Sequence, residues 1–173
     1  MDLSGYIDGL YGYAMALTRN PAEAEDLVQE TYVRAIRGVA TLRPESNVKS
    51  WMFTILRNLW LNQLRHRRAG PKFTELDADE GILNRAVEPS PDAQAYYLSK
   101  VERNQVRAAI QQLPAEFREI ILLREYEDLS YDEIAKLLGC PAGTVMSRLA
   151  RARAKLRALL SAPNRPQGLI PKR

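Results

Sequence analysis

The sequence predicts an all-α protein built from two small helical domains joined by a flexible acidic linker. Three observations carry that expectation. Apolar residues recur at helical spacing through most of the 173 residues, and no segment shows the alternation of a strand. Between Ala69 and Pro91 the periodicity fails at Gly70, Pro71, Gly81, Pro89, Ser90 and Pro91, and residues 74–92 carry a net charge of −5. Ser130–Leu160 reads as a short helix, a tight Gly-Cys-Pro turn and a longer basic helix. A 46% hydrophobic content is enough for two small cores.

The first helix is expected over residues 3–19, with Tyr6, Ile7, Leu10, Tyr13, Ala14 and Leu17 on its core stripe. Asn20-Pro21 restarts the chain: Asn20 suits an N-cap, Pro21 the first helical position, and Glu23 the reciprocal partner. The helix from Pro21 to about Arg37 should bury Ala24, Leu27, Val28, Thr31 and Ala35. Its other face carries Asp26, Gln29, Glu30, Val33 and Arg37, either as a solvated surface or as a partner surface. Residues 38–47 form a connecting loop, with Ser46 and Asn47 as candidate caps.

From Val48 to about Arg68 apolar side chains cover most of the helix circumference: Trp51, Met52, Phe53, Ile55, Leu56, Leu59, Trp60, Leu61 and Leu64. Such a helix belongs at the centre of a bundle. One polar stripe remains, Thr54, Asn58, Asn62 and Arg65, with Trp51 near its edge and Arg65-His66-Arg67-Arg68 at its end. Two interpretations stay open. Aromatic, amide and guanidinium groups suit unstacked bases and a phosphate backbone. The same residues also suit a core tryptophan and a cationic end complementing the helix dipole.

After the linker, residues 69–91, a helix from Asp92 to about Leu113 runs through Tyr96, Val101, Val106 and Ile110. Pro114 starts the next, with Phe117, Ile120, Ile121, Leu123 and Leu138 as core. Ser130 and Glu133 form a capping box, and Ile134, Ala135 and Leu138 supply the inward face of the short helix. Gly139 ends it and Pro141 prevents continuation. At 100° per residue Val145, Leu149, Ala152, Leu156 and Leu159 share one stripe of the last helix. Opposite lie Ser147, Ala150, Arg151 and Ala154, flanked by Arg148 and Lys155 on one side and Arg153 and Arg157 on the other. This is a helix-turn-helix pattern: small residues let a helix approach base edges and flanking cations suit phosphates. Residues 161–173, with three prolines and a glycine, should be a disordered tail.

Net charge is only +4, but it is concentrated: +6 over residues 47–73 and +8 over 144–173, separated by acidic blocks. Two basic blocks suggest two contacts with a polyanion. The single cysteine, Cys140, excludes an internal disulfide, and His66 is the only histidine, so no metal cluster and no cofactor site is expected. The absence of a signal peptide or membrane-spanning run leads to the expectation of a cytoplasmic protein without membrane insertion.

Two blocks resemble one family closely, the extracytoplasmic-function type of bacterial RNA polymerase sigma factor. The first is AEDLVQETYVRAIR (Ala24–Arg37) followed by SWMFTILRNLWLNQLRHRR (Ser50–Arg68). The second is LPAEFREIILLREYEDLSYDEIAKLLGCPAGTVMSRLARARAKLR (Leu113–Arg157). The resemblance implies a region 2-like domain over residues 1–68 and a region 4-like domain over 92–160. It implies partners as well: core RNA polymerase (clamp of the largest subunit, flap of the second), promoter DNA and an anti-sigma factor.

By position, Asp26, Gln29, Glu30 and Arg34 would contact the polymerase coiled coil. The loop Leu42–Asn47 and Trp51, Asn58, Asn62 and Arg65, with Arg67 and Arg68, would hold the displaced non-template strand at −10. Thr144, Ser147, Arg148 and Arg151 would sit at the −35 major groove, with Arg153 and Lys155 nearer phosphate. The chain departs from the family at Asn62, where many relatives carry aspartate, and in the loop LRPESN, which lacks a common aromatic. Nothing resembles the extra N-terminal regions of housekeeping relatives, which fits a specialised regulon. The implied protein is not an enzyme, since polymerase supplies the chemistry. Two alternatives are a stand-alone helix-turn-helix regulator and a sigma mimic that titrates an anti-sigma factor. The first leaves the Asp26/Gln29/Glu30 face and the Trp51–Arg68 helix without purpose, and mimics typically carry a receiver domain for which this chain has no room.

Overall fold

The computed structural model describes residues 3–70 and 93–162. A 3-10 turn (Ser4–Tyr6) leads into α1 (Ile7–Thr18), then α2 (Pro21–Gly38), a second 3-10 turn (Val39–Thr41) and α3 (Val48–Ala69). The second unit comprises α4 (Ala93–Gln111), α5 (Ala115–Ile121) with a π-helical continuation (Leu122–Tyr126), α6 (Tyr131–Leu138) and α7 (Ala142–Ser161). Residues 71–91 of the expected linker, residues 163–173 of the expected tail and the side chain of Tyr96 lie outside the described residues. Among the described residues no strand occurs, and no helix is long and apolar enough to cross a membrane.

Local chemistry explains the helix ends. Asn20 accepts from the Glu23 amide and Pro21 occupies the first helical position of α2, relieving donors that an α-helix leaves unpaired. The expected reciprocal bond is replaced: the Glu23 carboxylate pairs with Arg67 of α3 at 2.7 Å. Asn47, rather than Ser46, caps α3 by accepting from the Ser50 amide. Ser130 and Glu133 complete the capping box of α6, and Gly139 ends that helix at φ +67°, where a β-carbon would be strained. Burial would raise the Glu133 carboxyl pKa, but hydrogen bonds from Ser130 and Asn47, with Lys136 nearby, outweigh it and hold the pKa below its usual value.

In the first unit α2 buries Ala24, Leu27, Val28, Thr31 and Ala35, the set its periodicity predicts. α3 buries Met52, Phe53, Leu56 and Leu59, with Trp51, Ile55 and Trp60 half-buried around them. In the second, Ile110, Leu113, Ile120, Ile121, Leu123, Leu129, Ile134, Val145, Leu149 and Ala152 form the core. On α6 the more deeply buried leucine is Leu137; Ala135 and Leu138, expected inward, are half-buried. An eight-residue helix wedged between α3 and α7 has apolar neighbours on two sides, so its buried arc is wider than one stripe.

The two units pack against each other, α1 against α5 and α3 against α6. Charged groups sit inside this seam. Glu119, 9% exposed, accepts from the Tyr13 hydroxyl at 2.6 Å and from Arg57 Nε at 2.7 Å. Burial, and then the Glu119 carboxylate, push the Tyr13 pKa well above its usual value. Arg118, 4% exposed, donates to the carbonyls of Ala16 at 2.8 Å and Leu113 at 3.0 Å, joining the ends of α1 and α4. Burial, with Arg19 nearby, lowers its pKa to about 10. Lys49 pairs with Glu127 at 2.8 Å, and Asn47 donates to Glu133.

Candidate nucleic-acid interface

α7 presents two faces. Val145, Leu149 and Ala152 are buried, while Ser147, Ala150, Arg151 and Ala154 stand exposed on the opposite side. Gly139 and Pro141 set the turn that swings this exposed face away from α6. Thr144 is half-buried and its carbonyl accepts from Ser147 Oγ at 3.1 Å, which draws Ser147 back along the first turn.

The cations of α7 divide into two groups. Arg148 and Arg153, on the shoulders nearest the core stripe, are tied inward by carboxylates of the preceding segment. Arg148 lies 3.8 Å from Glu116, and Arg153 donates from Nε and Nη2 to Glu125 Oε1 at 2.8 and 2.5 Å. The hydrogen bond to Glu125 raises the Arg153 pKa. Arg151, Lys155 and Arg157 are exposed. The periodicity that placed these cations on α7 carried no sign of Glu116 and Glu125, which come from another element.

On α3 the polar stripe is present as expected. Asn58, Asn62 and Arg65 are exposed, Arg65 Nη1 donates to Asn62 Oδ1 at 3.1 Å, and half-buried Thr54 donates to the Ser50 carbonyl. Trp51 is half-buried against Gly38, where an added β-carbon would stand 3.1 Å from its ring. Glycine at the end of α2 therefore makes room for the tryptophan at the stripe's edge. Arg68 is exposed beyond it. Arg67 is not brought to the stripe: its guanidinium lies over Trp60, 5.6 Å from the ring centroid, and pairs with Glu23. Arg57, on the same helix, is committed to the seam. Burial opposes its charge, yet Glu119 outweighs burial and raises its pKa.

On α2, Asp26, Gln29, Glu30 and Arg34 are exposed, and Arg34 pairs with Glu30 at 2.7 Å one turn apart. Val33 and Ile36 are 41% and 66% exposed, an apolar spot beside the acidic one. Ile36 was not singled out by periodicity; an exposed isoleucine off the buried stripe was the available signal. A mixed acidic and apolar helix face suits a protein partner better than DNA. Among the described residues no group of His, Cys, Asp and Glu is arranged to hold a metal.

Comparison with known proteins matches both units. Residues 4–70 match the family model described as Sigma-70 region 2, and residues 103–156 match Sigma-70, region 4. The ECF RNA polymerase sigma factor EcfG of Rhodopseudomonas palustris is 36% identical over 92% of this chain and 83% of its own length. The RNA polymerase sigma factor YlaC of Bacillus subtilis is 31% identical over 88% of this chain and 86% of its own. Among solved structures, the sigma factor RpoE of Bartonella quintana, in complex with the anti-sigma factor NepR, superposes with a TM-score of 0.66 at 30% identity. That alignment covers 94% of this chain and 96% of the other.

Proposed function

The chain belongs to the extracytoplasmic-function RNA polymerase sigma factors, alternative sigma factors that direct transcription initiation, and from that premise we propose how its residues divide the work. The second unit reads the −35 element as duplex, with Thr144, Ser147, Arg148 and Arg151 at base edges and Arg153 and Lys155 toward phosphate. The first unit holds the opened non-template strand at −10 along Trp51, Asn58, Asn62 and Arg65, with Arg68 at its end. Asp26, Gln29, Glu30 and Arg34 dock on the clamp of the largest polymerase subunit, and the second unit meets the flap of the second subunit. Arg67, committed to Glu23 and Trp60, braces α3 rather than reaching the strand.

The observation that carries this reading is the outer face of α7, where small side chains and Arg151 stand exposed opposite a fully buried stripe. Each well-formed base-edge contact is worth about 1–3 kcal/mol of discrimination. Capturing flipped bases offsets an unstacking cost of a few kcal/mol. The chain supplies binding free energy and the polymerase supplies the chemistry of nucleotide addition, which places its work in the cytoplasm and requires no cofactor. An anti-sigma partner belongs to the same proposal, supported by the complex in which the Bartonella quintana relative was solved.

Reconstitution with core polymerase on genomic DNA, with start sites mapped by sequencing, tests the reading. The expected result is a small set of promoters sharing −35 and −10 elements. Transcripts no different from those of core enzyme alone would overturn it.

A further inference from the structure

The pair between Glu125 and Arg153 joins the π-helical end of α5 to α7, the DNA-facing helix. Glu125 lies in the π-helical segment Leu122–Tyr126, where the Glu127 amide reaches back to the Leu122 carbonyl at 3.0 Å. That widened turn inserts one residue into the helix and turns Glu125 toward α7; such insertions bend a helix and re-aim its later side chains. Two donors of one guanidinium converge on a single carboxylate oxygen, Oε1. Nearby, the ring of Tyr131, the first residue of α6, carries Arg124 5.1 Å from its centroid on the way to the Leu129 carbonyl. Glu125 holds Arg153 through both bonds to Oε1, although both partners of the pair remain more than two-fifths exposed.

An exposed pair of this kind adds little to folding stability. Its effect falls on what α7 meets. Non-specific binding to duplex scales with the number of phosphates that protein cations neutralise, whatever the sequence. A cation whose charge is cancelled by its own protein adds nothing to that term. Its remaining N–H groups can still bond a phosphate that arrives in the one place they point.

We propose that Glu125 is a specificity-determining positioning residue: it cancels the net charge of Arg153 and fixes the direction of its guanidinium, so that Arg153 favours the correctly seated promoter over random duplex. This rests on the reading of α7 as the −35 helix.

The test uses the full chain assembled with core polymerase and two duplexes of equal length. One is selected by the wild-type assembly from a pool randomised across the −35 element; the other is a scrambled version of it. Glu125→Gln keeps the shape and removes the negative charge that cancels that of Arg153. The expected result is a steeper salt dependence on the scrambled duplex, by about 0.9 in the log–log slope, so that raising salt from 50 to 200 mM costs this variant about 3.5-fold more affinity than wild type. Discrimination between the two duplexes falls. In an Arg153→Ala background, Glu125→Gln should change neither quantity. Unchanged slope and discrimination in Glu125→Gln, or an equal effect with and without Arg153, would overturn the proposal. A wild-type assembly that cannot tell the two duplexes apart would overturn both this and the −35 reading, whereas a discriminating wild type with an inert Glu125→Gln overturns this alone.

Discussion

α3 and α7 are both long, both carry clustered cations and both are proposed to meet nucleic acid, yet they are built differently. α3 buries Met52, Phe53, Leu56 and Leu59, half-buries Trp51 and Trp60, and commits Arg57 to Glu119 in the seam between the two units. What it shows to solvent is a narrow strip. α7 buries only Val145, Leu149 and Ala152 and leaves the face around Ser147, Ala150 and Arg151 open. A helix that is also the hub of a bundle cannot change its inner residues without loss of fold, whereas a helix held by one stripe can vary its outer face freely. Substitutions in α3 should therefore act first on stability, and those on the outer face of α7 first on DNA binding.

The largest expected effect is at Phe53, which is fully buried with its ring 5.3 Å from that of Tyr13. Phe53→Ala should cost about 4 kcal/mol in chemical denaturation. Next comes the seam flank of α3. Glu119→Ala strips both Arg57 and the Tyr13 hydroxyl of their acceptor and should cost about 3 kcal/mol. The same cluster gives an alkaline signature. Folded Tyr13 keeps a proton that the unfolded chain releases near its ordinary value of about 10, so stability is full below that pH and is lost as pH rises above it. Tyr13→Phe should remove that loss in pH-dependent melting.

Arg151→Ala on α7 supplies the contrast. Its unfolding free energy should stay within about 0.5 kcal/mol of wild type, while promoter binding by the polymerase assembly weakens by about 1–3 kcal/mol. A large stability loss there, or none at Phe53, would reverse the assignment of the two helices. The smallest effect is at the start of α6, where Ser130→Ala should cost about 1 kcal/mol. Because the folded Glu133 carboxyl titrates below its usual value, the contribution it makes is present at neutral pH and is lost as pH falls through the folded pKa.

The parts of the fold readable in the sequence are those set by neighbours in the chain. Asn20 with Pro21, Ser130 with Glu133 and Gly139 mark helix ends because capping bonds span only a few residues. The buried stripes of α2 and α7 come from a single period. Tyr13 and Glu119 are 106 positions apart, and no local pattern distinguishes a charged residue bound for a seam from one bound for solvent. Arg118 and Glu119 sit beside Ile120 and Ile121 in a helix buried on nearly every side, so their burial depends on the other unit. The same holds for the candidate surface. Spacing placed Arg67, Arg148 and Arg153 on their helices, but their acidic partners Glu23, Glu116 and Glu125 come from other elements.

If the two helices divide the work in this way, one chain grips one promoter twice, as paired duplex through α7 and as separated strand through α3. Chemical probing of a single promoter complex, with nuclease protection for the duplex and permanganate for unpaired thymines, addresses that division directly. The expected result is upstream protection that disappears in Arg151→Ala, together with downstream thymine reactivity that disappears in a Trp51→Ala/Asn62→Ala double variant. Upstream protection that survives Arg151→Ala, or strand opening that is indifferent to the α3 stripe, would refute it.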